Sequence, residues 1–358
     1  MTSMSEALQG IADEEAQIVT APRRPRMRDV AELAGVGIKT VSRVVNGEPN
    51  VSPATMTRVL AAVEQLGYRP DVYAGNLRRS EGRTRTLGLL VSSVANPFAS
   101  LLHRGVEEVA SERGVAVFAA SLDDDADTEL RMVEAFQRRR VDGLILTTIR
   151  PDQSYLEPER ARGTPMVFVD RLPHGIEADA VVCDNVEGAV AATRHLLEHG
   201  HTRLAFLGDL EEIETARSRR DGFLAELARA GITEADAIAV TGLHDEAGAQ
   251  RVVTELLTSE DPPTAIFSAQ NLITNGTIRA LRTLGLSHEV ALVGFDDVPL
   301  GDLLDPPATV VAQDPQQMGR LAAEQLFARL DGDASPPRTV VVPTQLVVRG
   351  SGEIRPRQ

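Results

Sequence analysis

The chain has 358 residues, of which 42% are hydrophobic and 25% charged, as in a folded protein of two or three domains. No apolar run is long enough to span a bilayer, and the first twenty residues lack the basic start of a secretion signal, so we expect neither a membrane protein nor a secreted one. The single cysteine, Cys183, excludes an internal disulfide framework and indicates a reducing cytoplasm.

The net charge of −15 is spread unevenly along the chain. Residues 22–85 contain 12 Lys and Arg against 6 Asp and Glu, a net charge of +6, whereas the remaining residues carry −21. An acidic body repels nucleic acid, so this arrangement would direct DNA to the basic segment alone. Lys39, the only lysine of the chain, lies in that segment.

Residues 1–26 show no strong pattern, and we expect a disordered N-terminal extension there. Four arginines follow one another around its end: Arg23, Arg24, Arg26 and Arg28. Such a run is either a solvated tail or an arm that touches phosphate, and the pattern favours neither.

Two short helical patterns meet at Gly35. The first pattern places Val30, Leu33 and Ala34 on an inner stripe. The inner stripe of the second consists of three valines, Val41, Val44 and Val45. Two helices joined by a glycine turn are typical of the helix-turn-helix motif, although an ordinary helical hairpin has the same pattern.

The outer face of the second helix carries Ile38, Lys39, Ser42 and Arg43. Long cations can donate to guanine or phosphate, and an apolar side chain can contact a thymine methyl group in the major groove. The same set of residues also occurs on solvated helix faces, so the DNA-binding interpretation depends on the residues C-terminal to this helix.

A third helix is predicted after Ser52, a good N-cap followed by Pro53, and it should end at Gly67. Its apolar stripe consists of five residues: Met56, Val59, Leu60, Val63 and Leu66. Residues 70–84 could form a short helix and linker, although Gly75 costs about 1 kcal/mol of helix propensity. We expect this segment to become helical only when DNA holds it.

From Thr86 onward, strands alternate with helices, which predicts parallel sheets. The clearest predicted strands are 87–91, 115–119, 143–147, 166–169, 204–207, 265–268 and 290–293. The predicted helices between them include 99–112, 128–139, 187–199, 217–230, 247–257 and 274–284. Ligands bind such sheets at the carboxyl ends of the strands, and no glycine-rich phosphate motif points to a dinucleotide or a nucleoside triphosphate.

The order of these elements, and the sequence of residues 29–46 and 67–70, resemble the LacI/GalR family of bacterial transcriptional regulators. Stretches of the body, such as 96–98, 169–171 and 294–297, also look like family landmarks, and the resemblance runs from about residue 27 to 352. It implies a small all-α helix-turn-helix head and an α/β body of two Rossmann-like lobes with parallel sheets, similar to periplasmic sugar-binding proteins.

The resemblance implies four regions. Residues 1–26 would be the extension, 27–69 the DNA-binding domain, 70–84 the hinge helix and linker, and 85–358 the effector-binding and dimerisation domain. The chain would cross between the two lobes of the body near residues 184, 313 and 345. A homodimer would read the two half-sites of a palindromic operator, and a tetramer is left open.

By matching position, the second helix of the head would enter the major groove. Three of its side chains would reach base edges, namely Ile38, Lys39 and Arg43, and three residues would lie nearer phosphates, namely Thr40, Ser42 and Asn46. For Thr40 and Ser42 the alternative is a hydroxyl of no special role. The chain departs from the family at Gly37, where a hydroxyl residue is usual, and this puts one phosphate contact in doubt.

In the hinge, Leu77 matches a leucine that wedges into the minor groove, and Ala74 matches a small residue that allows close approach. The alternative for Leu77 is a linker residue packed on the body. Gly75 is unusual for the family at this place.

In the body, Arg219 matches the arginine that grips the effector, and Asp296 matches an acid that accepts hydrogen bonds from it. Six further residues would lie near the cleft: Phe98, Asp170, Arg171, Gln270, Asn271 and Gln313. Gln270 and Asn271 depart from the usual Asn-Asp pair. Asp170 and Arg171 could instead form a structural ion pair. An arginine opposite a carboxylate can hold a diol, which favours a sugar, and a purine or a carboxylated ligand would also fit.

Residues 123–127 lack the spacing of a calcium loop, and the histidines at 199 and 201 lack a third ligand, so we predict neither a metal nor a cofactor. No catalytic arrangement is evident, and we expect no enzyme. The prediction is a cytoplasmic repressor controlled by a sugar. The alternatives are a regulator of the same family that responds to a purine or a phosphoprotein, and a sugar-binding receptor without a DNA role.

Overall fold

The computed structural model describes residues 25–45, 48–69, 83–233 and 237–357. The chain divides into two compact units after Arg83, here called the head and the body, and each is described by itself. Residues 1–24 of the predicted extension and 70–82 of the predicted hinge lie outside the described residues. None of the described helices is long and apolar enough to cross a membrane.

The head consists of three helices, α1 (Met27–Ala34), α2 (Ile38–Val45) and α3 (Pro53–Leu66). The two helix ends and the helix N-cap that the sequence predicted are confirmed. Gly35 ends α1 with a φ of 63°, and Gly67 ends α3 with a φ of 59°, a conformation that glycine adopts without strain. The Ser52 hydroxyl caps α3 by accepting a hydrogen bond from the Thr55 N–H at 3.3 Å.

The core of the head is small and only partly as predicted. Eight residues are buried in it: Val30, Ala31, Ala34, Val41, Val44, Val59, Ala62 and Tyr68. Leu33, Met56 and Leu60, predicted to face inward, are exposed at 45%, 40% and 50%. Alanines occupy inner positions instead, since Ala31 and Ala62 are buried.

The body contains twelve strands among its described residues, arranged in two six-stranded sheets. The strands are β1 (Thr86–Val91), β2 (Ala116–Ser121), β3 (Gly143–Leu146), β4 (Met166–Val169), β5 (Asp179–Cys183), β6 (Leu204–Leu207), β7 (Ile238–Val240), β8 (Ala265–Ser268), β9 (Ala291–Phe295), β10 (Thr309–Ala312), β11 (Thr339–Val342) and β12 (Gln345–Val347). The first sheet has the order β11-β5-β4-β3-β1-β2 and the second β12-β10-β9-β8-β6-β7.

All paired strands are parallel except β12, which runs antiparallel to β10. The helices that cover the sheets are α4 (Pro97–Glu112), α5 (Ala126–Arg139), α6 (Glu157–Ala161), α7 (Asn185–Glu198), α8 (Glu214–Arg229), α9 (Glu246–Leu257), α10 (Asn271–Leu284) and α11 (Pro315–Leu330). The predicted α/β body of two parallel-sheet lobes is confirmed, because each sheet has apolar clusters on both of its faces.

Glycines allow three helix pairs of the body to pack backbone against backbone. A Cβ atom on Gly105 of α4 would lie 2.0 Å from the carbonyl oxygen of Gln316 in α11. On Gly222 of α8 it would lie 2.5 Å from the Val186 carbonyl in α7, and on Gly276 of α10 it would lie 2.4 Å from a carbonyl of α9. Any larger residue at these places would force the helices apart.

The chain passes between the two sheets three times, and each passage is short. β5 ends in the first sheet at Cys183, and α7, which packs on the second, begins at Asn185. The return lies between Ala312 and Pro315, and the last passage lies between β11 and β12. Short connections of this kind are the places at which two lobes can rotate relative to each other while each keeps its own core.

Candidate DNA-reading face and ligand cleft

The outer face of α2 is open and basic. Ile38 is 50% exposed, Lys39 and Arg43 are also exposed, and the opposite side of the helix buries Val41 and Val44. Thr40 and Ser42 are half-buried at the edges of this face. The predicted DNA-contacting residues of α2 therefore share one side of a short, well-anchored helix.

Arg43 makes one weak ion pair in the head. Its Nε lies 4.0 Å from a carboxylate oxygen of Glu48, and the two side chains are 55% and 41% exposed. An exposed pair of this kind contributes about 0–1 kcal/mol, so the guanidinium can exchange it for a base or a phosphate at little cost.

Gly37 precedes α2, and its carbonyl accepts hydrogen bonds from the N–H groups of Thr40 and Val41. A Cβ atom at Gly37 would meet nothing within 4 Å, so the hydroxyl residue usual in the family would fit here. The other predicted DNA-contacting residues, Asn46, Ala74 and Leu77, lie outside the described residues.

A cavity of about 190 Å³, here called the inner cavity, lies between the lobes at the carboxyl ends of the strands. Seven of the eight predicted effector residues line it: Phe98, Asp170, Arg171, Arg219, Gln270, Asp296 and Gln313. The first lobe contributes Phe98, Asp170 and Arg171, and Gln313 lies on a crossing segment.

Arg219 is buried in the second lobe and held from three sides. Its Nε donates to the Asn185 Oδ1 at 2.8 Å, and its Nη1 donates to the Ala269 carbonyl at 2.8 Å. The guanidinium carbon lies 3.8 Å from the centre of the Phe295 ring, a cation–π contact that fixes its plane. The remaining N–H groups are thereby presented in a fixed orientation.

Asp170 and Asp296 each follow a strand and have positive φ angles of 72° and 69°. Burial raises the pKa of both carboxyl groups, although Arg219 lowers each of them in part. Gln313 donates from Nε2 to the Asp296 Oδ1 at 2.6 Å, while its buried Oε1 has no hydrogen-bond partner among the described residues. The Gln313 Oε1 is therefore a buried acceptor that a donor group of a ligand could satisfy.

Arg171 pairs with a residue that the sequence analysis did not select. Its Nη1 donates to the Thr148 carbonyl at 2.8 Å, its Nη2 donates to the Asp124 Oδ1 at 3.3 Å, and its Nε lies 3.8 Å from Asp170. Asp125 caps α5 by accepting a hydrogen bond from the Thr128 N–H, whereas Asp124 lines the cavity. No spacing in the sequence distinguishes Asp124 from its neighbours.

His244 and Asp209 are two further lining residues that the sequence analysis did not select. The His244 Nδ1 lies 2.8 Å from the Asp209 Oδ1, and its Nε2 lies 3.6 Å from the Asp124 Oδ2 of the opposite lobe. The hydrogen bond with Asp209 raises the pKa of His244. Asp209 follows β6, so the rule about strand ends could have found it, whereas His244 carried no signal.

Asn271 is placed differently from the other predicted effector residues. It is not in the wall of the inner cavity, and its side-chain amide pairs with that of Asn96 in the first lobe. The Asn271 Nδ2 donates to the Asn96 Oδ1 at 2.8 Å, and the Asn96 Nδ2 donates back at 3.3 Å. This pair joins the lobes, as does the 3.2 Å contact between His174 and Glu214.

The histidines at 199 and 201 have structural partners. The His199 Nδ1 lies 2.7 Å from the His195 carbonyl, and His201 contacts Thr264 and the Ile354 carbonyl. Cys183 is buried at the end of β5, and burial raises the pKa of its thiol. Among the described residues, no group of three or more His, Cys, Asp and Glu could hold a metal ion.

Comparisons with known proteins match both units of the chain. Residues 26–71 match the model of bacterial regulatory proteins of the lacI family, and residues 193–352 match a periplasmic binding protein-like domain. The ribose operon repressor of Escherichia coli (strain K12) is 32% identical over 91% of this chain and 99% of its own.

Two solved structures are also similar over 92% of this chain. The lac repressor dimer bound to operator and the anti-inducer ONPF has a TM-score of 0.79 at 27% identity, with 99% of that chain covered. The complex of the transcriptional regulator CelR with cellobiose has a TM-score of 0.67 at 32% identity, with 100% covered. These relatives are named as regulators rather than enzymes. The chain therefore belongs to the LacI family of bacterial transcriptional regulators, with a DNA-binding head and a periplasmic-binding-protein-like body.

Proposed function

We propose that this protein is a repressor that binds a near-palindromic operator as a homodimer and changes its DNA affinity when a sugar enters the inner cavity. The observation that carries this proposal is the cavity wall itself, in which buried Arg219 and Arg171 lie among the carboxylates of Asp170 and Asp296. Such a wall suits a neutral ligand rich in hydroxyl groups, which both donates and accepts hydrogen bonds.

The apolar part of the wall supports the sugar over a purine. Phe98 contributes the only phenyl ring to the described wall, enough for one face of a sugar ring. A purine would gain most from an aromatic ring on each face, and the described wall has no tyrosine, tryptophan or second phenylalanine. A purine-responsive regulator is therefore the second candidate.

The DNA-binding part of the proposal rests on α2. Arg43 and Lys39 would donate to base edges and phosphates, Ile38 would contact a thymine methyl group, and Thr40 and Ser42 would bond to phosphates. The lac repressor relative is named as a dimer bound to operator. In this chain Leu101, Leu300 and Leu303 of the body are 48%, 69% and 74% exposed, and a partner subunit would cover such side chains.

The regulatory part of the proposal uses the three crossing segments. A sugar that bonds to Asp170 in one lobe and to Arg219 in the other favours the arrangement in which both reach it. It shifts the DNA affinity only by its difference in affinity for the two lobe arrangements. We infer that the sugar acts as an inducer, which releases the operator.

The test uses the full-length protein in two steps. A dye-based thermal shift is suited to a chain without tryptophan, and a ligand at a hundred times its Kd should stabilise the fold by about 2.7 kcal/mol. Duplexes selected from a random pool by the protein should share a near-palindrome, and the sugar that gives the shift should weaken their binding. Stabilisation by purines alone would support the second candidate, and the absence of sequence-selective DNA binding would leave only a ligand receptor.

A further inference from the structure

A second cavity of about 570 Å³ lies beside the inner cavity and is here called the outer cavity. Asp124 and Arg171 belong to the walls of both, so the two spaces adjoin each other beside this ion pair. The outer cavity takes its walls from both lobes, with Arg150 on one side and Arg217 on the other.

The inner cavity alone is small for a ligand site. Its 190 Å³ falls below the about 300–1,000 Å³ usual for small-molecule pockets, whereas the outer cavity falls within that range. The inner space therefore suits a single ring, and a ligand of two rings would use both cavities.

Two guanidinium groups of the outer cavity have donors to spare. Arg150 donates from Nη1 to the Ala126 carbonyl at 3.3 Å, and Arg217 donates from Nη1 to the Glu211 carbonyl at 2.6 Å. Neither has a carboxylate within 4.0 Å among the described residues, since the ion pairs of the body involve other arginines. Both keep N–H groups that a ligand can use.

The charges of the outer cavity nearly balance, which disfavours a strongly anionic ligand. Arg171 is paired with Asp124, and His174 is paired with Glu214, so Arg150 and Arg217 face only Glu212 as an unpaired acid. Apolar atoms come from four further residues of the wall: Ala126, Ile149, Pro151 and Leu172. Donors, an acceptor and apolar surface together suit a neutral, hydroxylated ring.

We propose that the outer cavity is a second sugar subsite, so that the effector is a disaccharide with one ring in each cavity. This inference rests on the proposed function and specifies the size of the sugar. Arg150 and Arg217 donate to hydroxyl groups of the second ring, and they lie on different lobes, so this ring adds its own contribution to lobe closure.

Isothermal titration calorimetry on the full-length protein tests the proposal. The probes are glucose, galactose, fructose, xylose and ribose, the disaccharides cellobiose, maltose, lactose, sucrose, trehalose and xylobiose, and glucose 6-phosphate. A disaccharide should bind at least about tenfold more tightly than each of its constituent monosaccharides, as expected when one ring adds its own hydrogen bonds.

Three variants locate the effect. Arg150→Ala and Arg217→Ala should each weaken binding of the preferred disaccharide about tenfold, the size of one lost hydrogen bond to a charged group. The corresponding monosaccharide should bind each variant as it binds the unchanged protein. Arg138→Ala is the matched control, because this arginine is 77% exposed on α5 and lines neither cavity. Arg217 is itself exposed, so a change there does not reflect unfolding.

Three other outcomes would contradict the proposal, and each rejects a different part of it. Equal binding of monosaccharides and disaccharides, with no effect of either variant, removes the second subsite and leaves the proposed function intact. Preference for glucose 6-phosphate that is lost in both variants makes the outer cavity an anion site instead. If no sugar binds at all, the proposed effector class itself is wrong.

Discussion

The DNA-reading face and the inner cavity use the same side-chain chemistry in opposite surroundings. Lys39 and Arg43 are exposed on a short helix, and Arg43 has one loose ion pair. Arg219 and Asp296 are buried, and hydrogen bonds hold both in place. The difference matches the two proposed ligands. DNA is a polyanion that attracts solvated cations from a distance, whereas a neutral sugar gains affinity only from groups already oriented and desolvated.

The largest expected effect is that of Arg219→Ala. Truncating one member of a buried, hydrogen-bonded set of charges typically costs about 2–5 kcal/mol, so the effector should no longer shift the melting temperature or alter DNA binding. Operator binding in the absence of effector should persist. Arg229→Ala, at the exposed end of the same helix, is the control. Loss of operator binding along with the effector response would mean that Arg219 supports the fold rather than the ligand.

Arg43→Ala comes next. Loss of a base-reading arginine should cost about 1–3 kcal/mol of binding to the selected duplex and relax the base preference at one position of each half-site. Arg58→Ala on α3 should change the affinity far less, since Arg58 lies outside the α2 face. The measurement is the affinity of each variant for the selected duplex and for a random duplex. An equal loss on both would show that Arg43 contacts phosphate only.

The contact of His244 predicts a smaller effect that depends on pH. The hydrogen bond with Asp209, helped by the charges of Asp209, Asp124 and Asp245, raises the pKa of His244 in the folded state. A raised pKa means that this stabilisation is complete below the unfolded value of about 6.5 and is lost as the pH rises through the folded value.

Melting temperatures measured between about pH 6 and pH 9 should therefore fall more steeply for the unchanged protein than for His244→Gln. His288→Gln is the control, because His288 lies outside both cavities and is 63% exposed beside Asp305. Identical slopes for His244→Gln and the unchanged protein would exclude a charged His244 in the cleft.

The smallest expected effect is that of Gly37→Ser. Serine caps a helix better than glycine by only a few tenths of a kcal/mol, and the space around Gly37 is open, so α2 should be slightly stabilised. The added hydroxyl should also raise DNA affinity through one phosphate contact, without changing the base preference. Weaker binding of this variant would imply that the backbone at Gly37 approaches DNA too closely for a side chain.

The sequence predicted the regular part of the body well. All seven predicted strands exist, with ends that differ by at most two residues, because long apolar runs between turn signals are a strong local pattern. β5, β7, β10, β11 and β12 were not among them. They have three to five residues each, and length does not distinguish them from β3, β4, β6 and β8, which have four each.

The site was predictable mainly where its residues match the family. Asp170 and Asp296 were selected by that match, and both also follow strands, where parallel sheets place their ligands. Asp124 and His244 come from loops far apart in the chain, and only the packing of the two lobes brings them within 3.6 Å. In the head, Leu33 was misplaced because it lies at the edge of the apolar stripe of α1, next to the buried Val30, Ala31 and Ala34.

The glycine contacts between helices make each lobe a stiff block. Gly105 against Gln316 and Gly276 against Glu246 leave no side chain that could compress when a ligand pulls on the cleft. A lobe that does not deform rotates as a rigid body. A shift of a fraction of an ångström beside the ligand then becomes a larger displacement at the far end of the lobe. The size of the response is then set by the one or two residues in each crossing segment, namely Asp184, the pair Gln313 and Asp314, and the pair Pro343 and Thr344. Substitutions there should tune how strongly the protein responds, while those in the cleft should tune what it responds to.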